Sequence, residues 1–249
     1  VQLLDIVSKE HLFQHYLYMT SASKPIVSHF GKYAKSVFDQ FLKNSNNPLV
    51  IEIGSNDGSL LGEFKKLGVE ILGIEPASNL AKLSNDLNID TLNEFFSLDI
   101  AKQITESRTP SVIVANNVIG HIENLHNIME GIKVLIGKTG VFIFEVPYLI
   151  DLIKNLEFDT IYHEHLSYFS LLPLSNLIEQ FGLEIFDVQK QDVHGGSIRV
   201  FVSVKNNFQI NDSVKKMIND EHEFGLEKID VYKIFSVKIG ELKKDLKQV

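Results

Sequence analysis

The sequence predicts a doubly wound α/β fold: a mostly parallel sheet with helices on both faces, preceded by a helical leader and followed by an antiparallel edge hairpin and a helical tail. Three observations predict it. Short apolar runs rich in β-branched residues alternate with helical stretches, the first run closes on a glycine turn that opens a helix, and after Pro147 the rhythm gives way to two strand-like runs flanking Gly195-Gly196. Strands and helices alternating at these lengths require crossover connections, and crossovers make a parallel sheet.

Between Lys24 and Phe41, the residues Ile26, Val27, Phe30, Tyr33, Ala34, Val37, Phe38 and Phe41 fall on one helix face, which makes this the leader helix. Leu49 to Ile53 is a strand closed by Gly54, and Ser59 to Leu67 the helix after it. The same alternation predicts a strand over Glu70 to Ile74, helices over Ala77 to Leu87 and Leu98 to Thr105, and a strand over Ser111 to Ala115. A helix over Asn124 to Ile136 and a strand over Val141 to Val146 follow. A segment rich in aromatic residues and His then runs to Ser170, before a helix from Leu174 to Phe181. Strands over Glu184 to Val188 and Ser197 to Val204 form the hairpin. From Asp212 the chain is polar and helical, and Ile229, Tyr232, Ile239, Leu242 and Leu246 keep an apolar stripe that expects something to pack against. Three regions result: a helical leader over 1–46, a ligand-binding α/β domain over 47–208 and a helical tail over 209–249.

Composition narrows the function. A formal net charge of -8, with Lys scattered among Asp and Glu, gives no basic stripe for a phosphate backbone, so a small-molecule substrate is expected and nucleic acid is not. The absence of Cys excludes disulfides and thiolate metal sites and agrees with a reducing cytoplasm. No apolar run approaches the roughly 20 residues that span a bilayer, and Val1, Gln2, Leu3, Leu4 and Asp5 lack a signal-peptide pattern, so a soluble cytoplasmic protein is expected. The missing initiator Met points to a fragment.

The segment Glu52-Ile53-Gly54-Ser55-Asn56-Asp57-Gly58 sits where the first strand hands over to a helix, and in open α/β sheets ligands bind beyond the carboxyl ends of the strands. The spacing is not G-x-G-x-x-G, which disfavours a dinucleotide. Asn56 and Asp57 suit a cofactor that carries an ammonium and a carboxylate. The second strand ends in Gly73-Ile74-Glu75-Pro76, which puts a carboxylate where it can accept hydrogen bonds from both hydroxyls of a ribose. Either feature alone is common in structural turns; together, one βα unit apart, they predict a cofactor site.

The runs E-I-G-S-N-D-G-S-L-L, G-I-E-P-A-S-N-L-A and A-N-N-V-I-G-H-I resemble the class I, Rossmann-like methyltransferases, and in particular the nucleotide-sugar C-methyltransferases. The resemblance implies S-adenosylmethionine as cofactor and S-adenosylhomocysteine as product. Glu52, Gly54, Ser55, Asn56, Asp57, Gly58, Glu75 and Pro76 would form the cofactor site, with Asn116 and Asn117 at the fourth strand. The adenine would rest near the end of the third strand, around Glu94, Phe95 and Phe96, where Phe95 and Phe96 fit core packing as well as adenine contact.

Tyr162-His163-Glu164-His165-Leu166-Ser167-Tyr168-Phe169-Ser170 gathers two imidazoles, a carboxylate and two phenols just after the fifth strand. Imidazole titrates near neutrality, so such a cluster beside a ligand crevice suits proton transfer. A metal site is the competing reading, but no further ligands stand at zinc-like spacing and no metal is expected. This run is similar to the family's catalytic motif, which implies His165 as general base with Glu164 and Tyr162 beside it, and His121 and Tyr16 as pocket residues. Tyr18 lies close enough to compete with Tyr16. Tyr168 is expected to meet substrate, and so are His194 and Arg199, whose His194-Gly195-Gly196-Ser197-Ile198-Arg199 resembles the family's H-G-G-S-x-R hairpin; its plainer reading is a glycine turn with an edge-strand Arg. In an extended segment His163 and His165 share a face, so geometry does not choose between them and the resemblance does.

The family works in deoxysugar biosynthesis. The resemblance implies methyl transfer to carbon, C3, of a nucleotide-activated 4-keto-6-deoxy sugar, whose carbonyl lets imidazole remove the proton as an enolate forms. Members begin with a cysteine-rich zinc domain, so zinc belongs only to a domain absent here; Val1-Gln2-Leu3 resembles the stretch after it. They continue into a second α/β domain that helps hold the nucleotide-sugar, so this chain corresponds to the central domain. Two other readings stay open: O- or N-methyl transfer on a small molecule, and a cofactor-binding fragment inactive without its partner domains.

Overall fold

The computed structural model describes residue 3 and residues 6–248. Val1, Gln2, Leu4, Asp5 and Val249 lie outside the described residues, and with them most of the stretch read for a signal pattern and for likeness to the end of a zinc domain.

Seven strands form one sheet: β1 (Leu49–Ile53), β2 (Glu70–Ile74), β3 (Thr91–Leu92), β4 (Val112–Asn116), β5 (Val141–Pro147), β6 (Leu183–Gln191) and β7 (Ser197–Val204). Their order is β3-β2-β1-β4-β5-β7-β6; the first five are parallel, while β7 runs antiparallel between β5 and β6. The chain reverses direction across the sheet between β1 and β4, and such a switch leaves a crevice beyond the strand ends.

Helices α1 (Lys9–Phe13) and α2 (Lys24–Val37) precede the sheet, and α2 continues as a π-helical turn, Phe38–Leu42. Then come α3 (Ser59–Lys66), α4 (Ser78–Asp86), α5 (Leu98–Thr105), α6 (Leu125–Ile136), α7 (Leu149–Asn155), α8 (Leu171–Glu179), α9 (Asp212–Phe224) and α10 (Ile229–Leu246). The strands read as unbroken apolar runs because both faces are covered. Ile51, Ile113, Phe142 and Phe144 face the core shared with α5, α6, α8 and α9, whereas Val50, Val112, Val114 and Ile143 face α2 and α3.

Four expectations change. Helix α8 begins at Leu171, one turn before the predicted Leu174, because Pro173 sits in the first turn, where its missing N–H costs no hydrogen bond. The aromatic segment after Pro147 contains a helix, α7, with Leu149, Ile150, Leu152 and Ile153 buried. The third strand ends at Leu92, so Glu94, Phe95 and Phe96 belong to the loop after it. The C-terminal stripe is only partly used: Tyr232, with Val231 and Phe235, packs on Leu149, Leu152 and Tyr168, whereas Ile229 and Leu246 are exposed. Among the described residues no helix is long and apolar enough to cross a membrane.

Candidate active site

A cavity of about 810 Å³ opens at the carboxyl ends of the parallel strands. Its floor comes from Ile53 and Gly54 after β1, Glu75 and Pro76 after β2, Asn116 and Asn117 at β4, and Val146 and Pro147 at β5. The N-terminal segment and the segment around residues 157–168 close over it.

One half is built on the glycine turn. Gly54 has φ +69°, and a Cβ there would stand 2.4 Å from Val118 Cγ2, so the turn admits no side chain. Asn56 is also left-handed, at φ 50°. Its Oδ1 accepts from Thr20 N–H at 3.0 Å, its Nδ2 donates to Tyr18 O at 3.1 Å, and its backbone N–H donates to Glu75 Oε2 at 2.8 Å. The other oxygen of Glu75 accepts from Ala77 N–H at 2.8 Å. Burial pushes the Glu75 carboxyl up and these two N–H donors pull it partly back. Glu52, 3% exposed, has a weaker set of donors, the Asn116 amide at 3.5 Å and the Leu61 backbone N–H, and its Oε2 is left without a partner. Burial drives its carboxyl well above the usual range, the amide of Asn116 only partly offsets this, and Glu75 and Asp57 raise it further.

The fit to S-adenosylmethionine can be judged from the groups left without partners. Among the described residues, Glu52 Oε2, Ser55 Oγ, Asn116 Oδ1 and Asn117 Oδ1 are buried with no hydrogen-bond partner. All four residues line this cavity; the two amide oxygens can only accept, and Glu52 Oε2 joins them once it is ionised. A buried acceptor cluster wants a donor, and the ammonium of an amino-acid tail provides several. Glu75 stands at the end of the neighbouring strand, with lone pairs beyond those taken by the two N–H groups. Phe95 offers a half-buried ring under the Lys9 ammonium, 4.7 Å from its centroid. The residues fit the cofactor.

The other half holds the imidazoles. Tyr162 to His165 is a tight turn closed by His165 N–H donating to Tyr162 O at 3.0 Å, not the extended stretch assumed from sequence. The turn separates the two imidazoles: His165 lines the cavity, and His163 is exposed and does not. His165 Nδ1 lies 2.7 Å from Thr160 O; a carbonyl can only accept, so Nδ1 carries the hydrogen and Nε2 of the neutral ring is the acceptor. Tyr162 Oη approaches that Nε2 at 3.4 Å. The His121 ring stacks on His165, centroids 5.1 Å apart, and burial together with the His165 charge pushes the His121 imidazole down to about 3. Tyr16 Oη donates to Glu164 Oε2 at 2.9 Å, and burial and then this carboxylate raise the phenol. Tyr18, Tyr168 and His194 also line this half.

Three expected site residues lie elsewhere. Asp57 sits behind the loop, where Oδ1 accepts from Ser59 N–H at 3.2 Å at the start of α3 and Oδ2 accepts from Ser21 N–H at 2.8 Å. Gly58, at φ +75°, supplies the left-handed turn into α3, and a Cβ there would meet Ile89 Cδ1 at 2.6 Å. Arg199, 5% exposed, is held by Glu145 through Nε at 2.7 Å and lies 3.7 Å over the Tyr33 ring, so its guanidinium belongs to the sheet core and not to the cavity. Conversely, Thr160 and Phe13 went unnoticed. Thr160 acts through its backbone carbonyl, which no side-chain pattern reveals, and Phe13 stacks on His121 with centroids 5.5 Å apart. Among the described residues no group of three His, Cys, Asp or Glu side chains is disposed to hold a metal ion.

A crevice of this make at the switch point of a 3-2-1-4-5-7-6 sheet defines a class I S-adenosylmethionine-dependent methyltransferase. The chain belongs to the methyltransferase-domain family, which matches residues 27–188, and residues 192–249 match the C-methyltransferase C-terminal domain. It is 32% identical over 249 residues to C-methyltransferase NovU of Streptomyces niveus, covering 99% of this chain and 59% of that protein. The chain therefore spans somewhat more than half the length of this relative. Among solved structures, the PH0226 protein of Pyrococcus horikoshii OT3 superposes with a TM-score of 0.61 at 12% identity, over 76% of this chain and 95% of that one. Magnesium protoporphyrin IX methyltransferase (ChlM) of Synechocystis PCC 6803, with bound SAH, gives 0.54 at 12% identity, over 78% and 90%. These two likenesses concern the fold.

Proposed function

We propose that the protein transfers a methyl group to carbon, C3, of a nucleotide-activated 4-keto-6-deoxy sugar, with His165 as the proton-abstracting base. The observation that carries this reading is the His165 ring in the cavity, with its Nδ1 hydrogen committed to Thr160 O and its Nε2 lone pair facing the cavity side, where Tyr162 Oη meets it at 3.4 Å. The named relative, a C-methyltransferase, supports carbon as the acceptor. S-adenosylmethionine, when bound, supplies a methyl group on a positively charged sulfur. Glu52, Ser55, Asn116 and Asn117 would hold its amino-acid end and Glu75 its ribose.

The remaining task falls to the chain's own side chains. A carbon nucleophile needs a proton removed, and a neighbouring keto group makes that proton acidic enough for imidazole. Nε2 of His165 accepts it. His121, held neutral, can donate an N–H to the enolate oxygen without surrendering a proton, and Tyr162 is a second donor. Glu164 keeps Tyr16 aimed at the cavity.

Turnover with labelled S-adenosylmethionine on keto and non-keto nucleotide sugars tests this. His165→Ala should lower turnover on the keto sugar by about 10²–10⁴-fold with cofactor affinity nearly intact, and His163→Ala should cost far less. Equal rates on keto and non-keto sugars would refute enolate chemistry, and full activity of His165→Ala would refute the base.

A further inference from the structure

We propose that Phe13 is a positioning residue: its ring covers the outer face of His121 and keeps that imidazole dry and uncharged beside His165. The inference rests on the reading of His165 as base. Phe13, His121 and His165 form a three-ring stack, with 5.5 Å and 7° between the first two rings and 5.1 Å and 18° between the last two. These separations suit offset stacking, so each ring excludes water from the face it covers. His121 is thus enclosed on one side by the residue that takes the proton and on the other by a side chain with no chemistry of its own.

The enclosure matters because His165 becomes an imidazolium when it accepts a proton. A protonated ring 5.1 Å away would oppose that charge, whereas a neutral one does not. Burial is the larger cause of the depressed His121 basicity, and the nearby His165 charge is the second. Besides His165, the titratable groups lining the cavity with His121 are Lys9, Tyr16 and Tyr18 from the N-terminal segment, Glu52 and Glu75 on the cofactor side, Glu123 from its own segment, Glu157, Asp159, Tyr162, Glu164 and Tyr168 from residues 157–168, and His194 from the hairpin. The Glu164 carboxylate accepts from Tyr16.

Phe13 is held in place from the cofactor side. Beyond α1, Gln14 O accepts from Ser78 N–H at 3.1 Å, and Tyr16 exchanges hydrogen bonds with the Asn79 side chain at 3.1 and 2.7 Å. Tyr18 O and Thr20 N–H are both taken by the Asn56 side chain, whose backbone N–H is on Glu75. The loop assigned to the cofactor and the ring stack are therefore joined through one short stretch of chain.

The test is an NMR titration of the chain carrying isotope-labelled His, which needs neither substrate nor cofactor. In the parent, His121 should remain neutral at every pH at which the protein is folded. Phe13→Leu should raise the His121 midpoint by about two units, while Phe13→Tyr, which restores the ring, should leave it near its parent value. In turnover, Phe13→Leu should lose roughly tenfold relative to the parent about one pH unit below the new His121 midpoint, and match the parent near neutral pH, where His121 is neutral in both. A His121 midpoint unmoved in folded Phe13→Leu overturns the proposal. The assignment of the base fails on a different observation, full turnover by His165→Ala, so the two failures are distinguishable.

Discussion

Burial opposes the ionisation of Glu52, whose carboxyl group has one oxygen unpartnered. Its folded pKa lies above its ordinary 4.5, so the stability it permits is fully present below that value and declines as pH rises through the folded value. An ammonium bound beside it reverses the preference, so cofactor binding should release a proton and tighten as pH rises through the same range. Calorimetry in buffers of different ionisation enthalpy should detect the release, and Glu52→Gln should abolish it; buffer-independent heats in the parent would place the ammonium elsewhere. Glu75→Gln should weaken cofactor binding by about 1.5–3 kcal/mol, because one of the two backbone N–H groups now on its oxygens would face an amide donor and the charge on the ribose contact would be lost. Unchanged affinity would sink the ribose assignment. Glu75 could be singled out from sequence because its position at a strand end is a consequence of local pattern. The choice of His165 over His163 could not be made from pattern, because a turn at residues 162–165 decides it and turns follow from tertiary closure.

At the scale of elements, α8 shows how the polar tail is fastened. Glu221 of α9, 2% exposed, accepts the N–H groups of Leu171 at 2.5 Å and Leu172 at 2.9 Å, so a side chain about fifty residues downstream caps α8. Burial raises the Tyr148 hydroxyl, and the same carboxylate raises it further. Glu221→Ala should cost about 1–3 kcal/mol in urea unfolding, since it strands two buried donors, and Glu221→Gln should recover only part of this. A loss within a few tenths of a kcal/mol would mean that water replaces the cap. The cap explains the early start of α8: residues 171–173 offer no capping side chain of their own, and Ser170 makes no cap hydrogen bond.

Across the whole molecule, a buried group ties the leader helix to both parts of the sheet. Glu145 of β5 accepts from Arg199 of β7 and, at 2.9 Å, from His29 of α2, with the Arg199 guanidinium over Tyr33 of α2. Burial pushes the Glu145 carboxyl up, but the His29 hydrogen bond and the Arg199 charge outweigh it and hold the group below 4.5. Its contribution is therefore present above that value and lost as pH falls through the depressed one, so acid unfolding should begin below about pH 4.5. Arg199→Met, which leaves the buried carboxylate with His29 alone as its partner, should cost about 3–5 kcal/mol by denaturant unfolding and flatten this acid limb. A silent substitution would show that the pair contributes nothing to the junction.

What the chain's order of residues determined alone was the alternation of β1, β2, β4 and β5 with their helices, the glycine turn after β1 and the carboxylate after β2. These are consequences of local periodicity and of backbone conformations that only certain residues adopt. The hairpin was legible for the same reason, with its turn at Gly195-Gly196. The tertiary structure decided which polar groups face the cavity and which are consumed by the fold. Asp57 and Arg199 are as polar as Glu75 and His165, yet the first helps start α3 and the second is paired within the sheet. It also decided the neighbours of His121, since Phe13 and His165 lie 108 and 44 residues away along the chain and stack on it only after the N-terminal segment closes over the sheet. A residue's charge and shape are carried by its identity, but whether a donor or a base remains available depends on which partners folding has already given it.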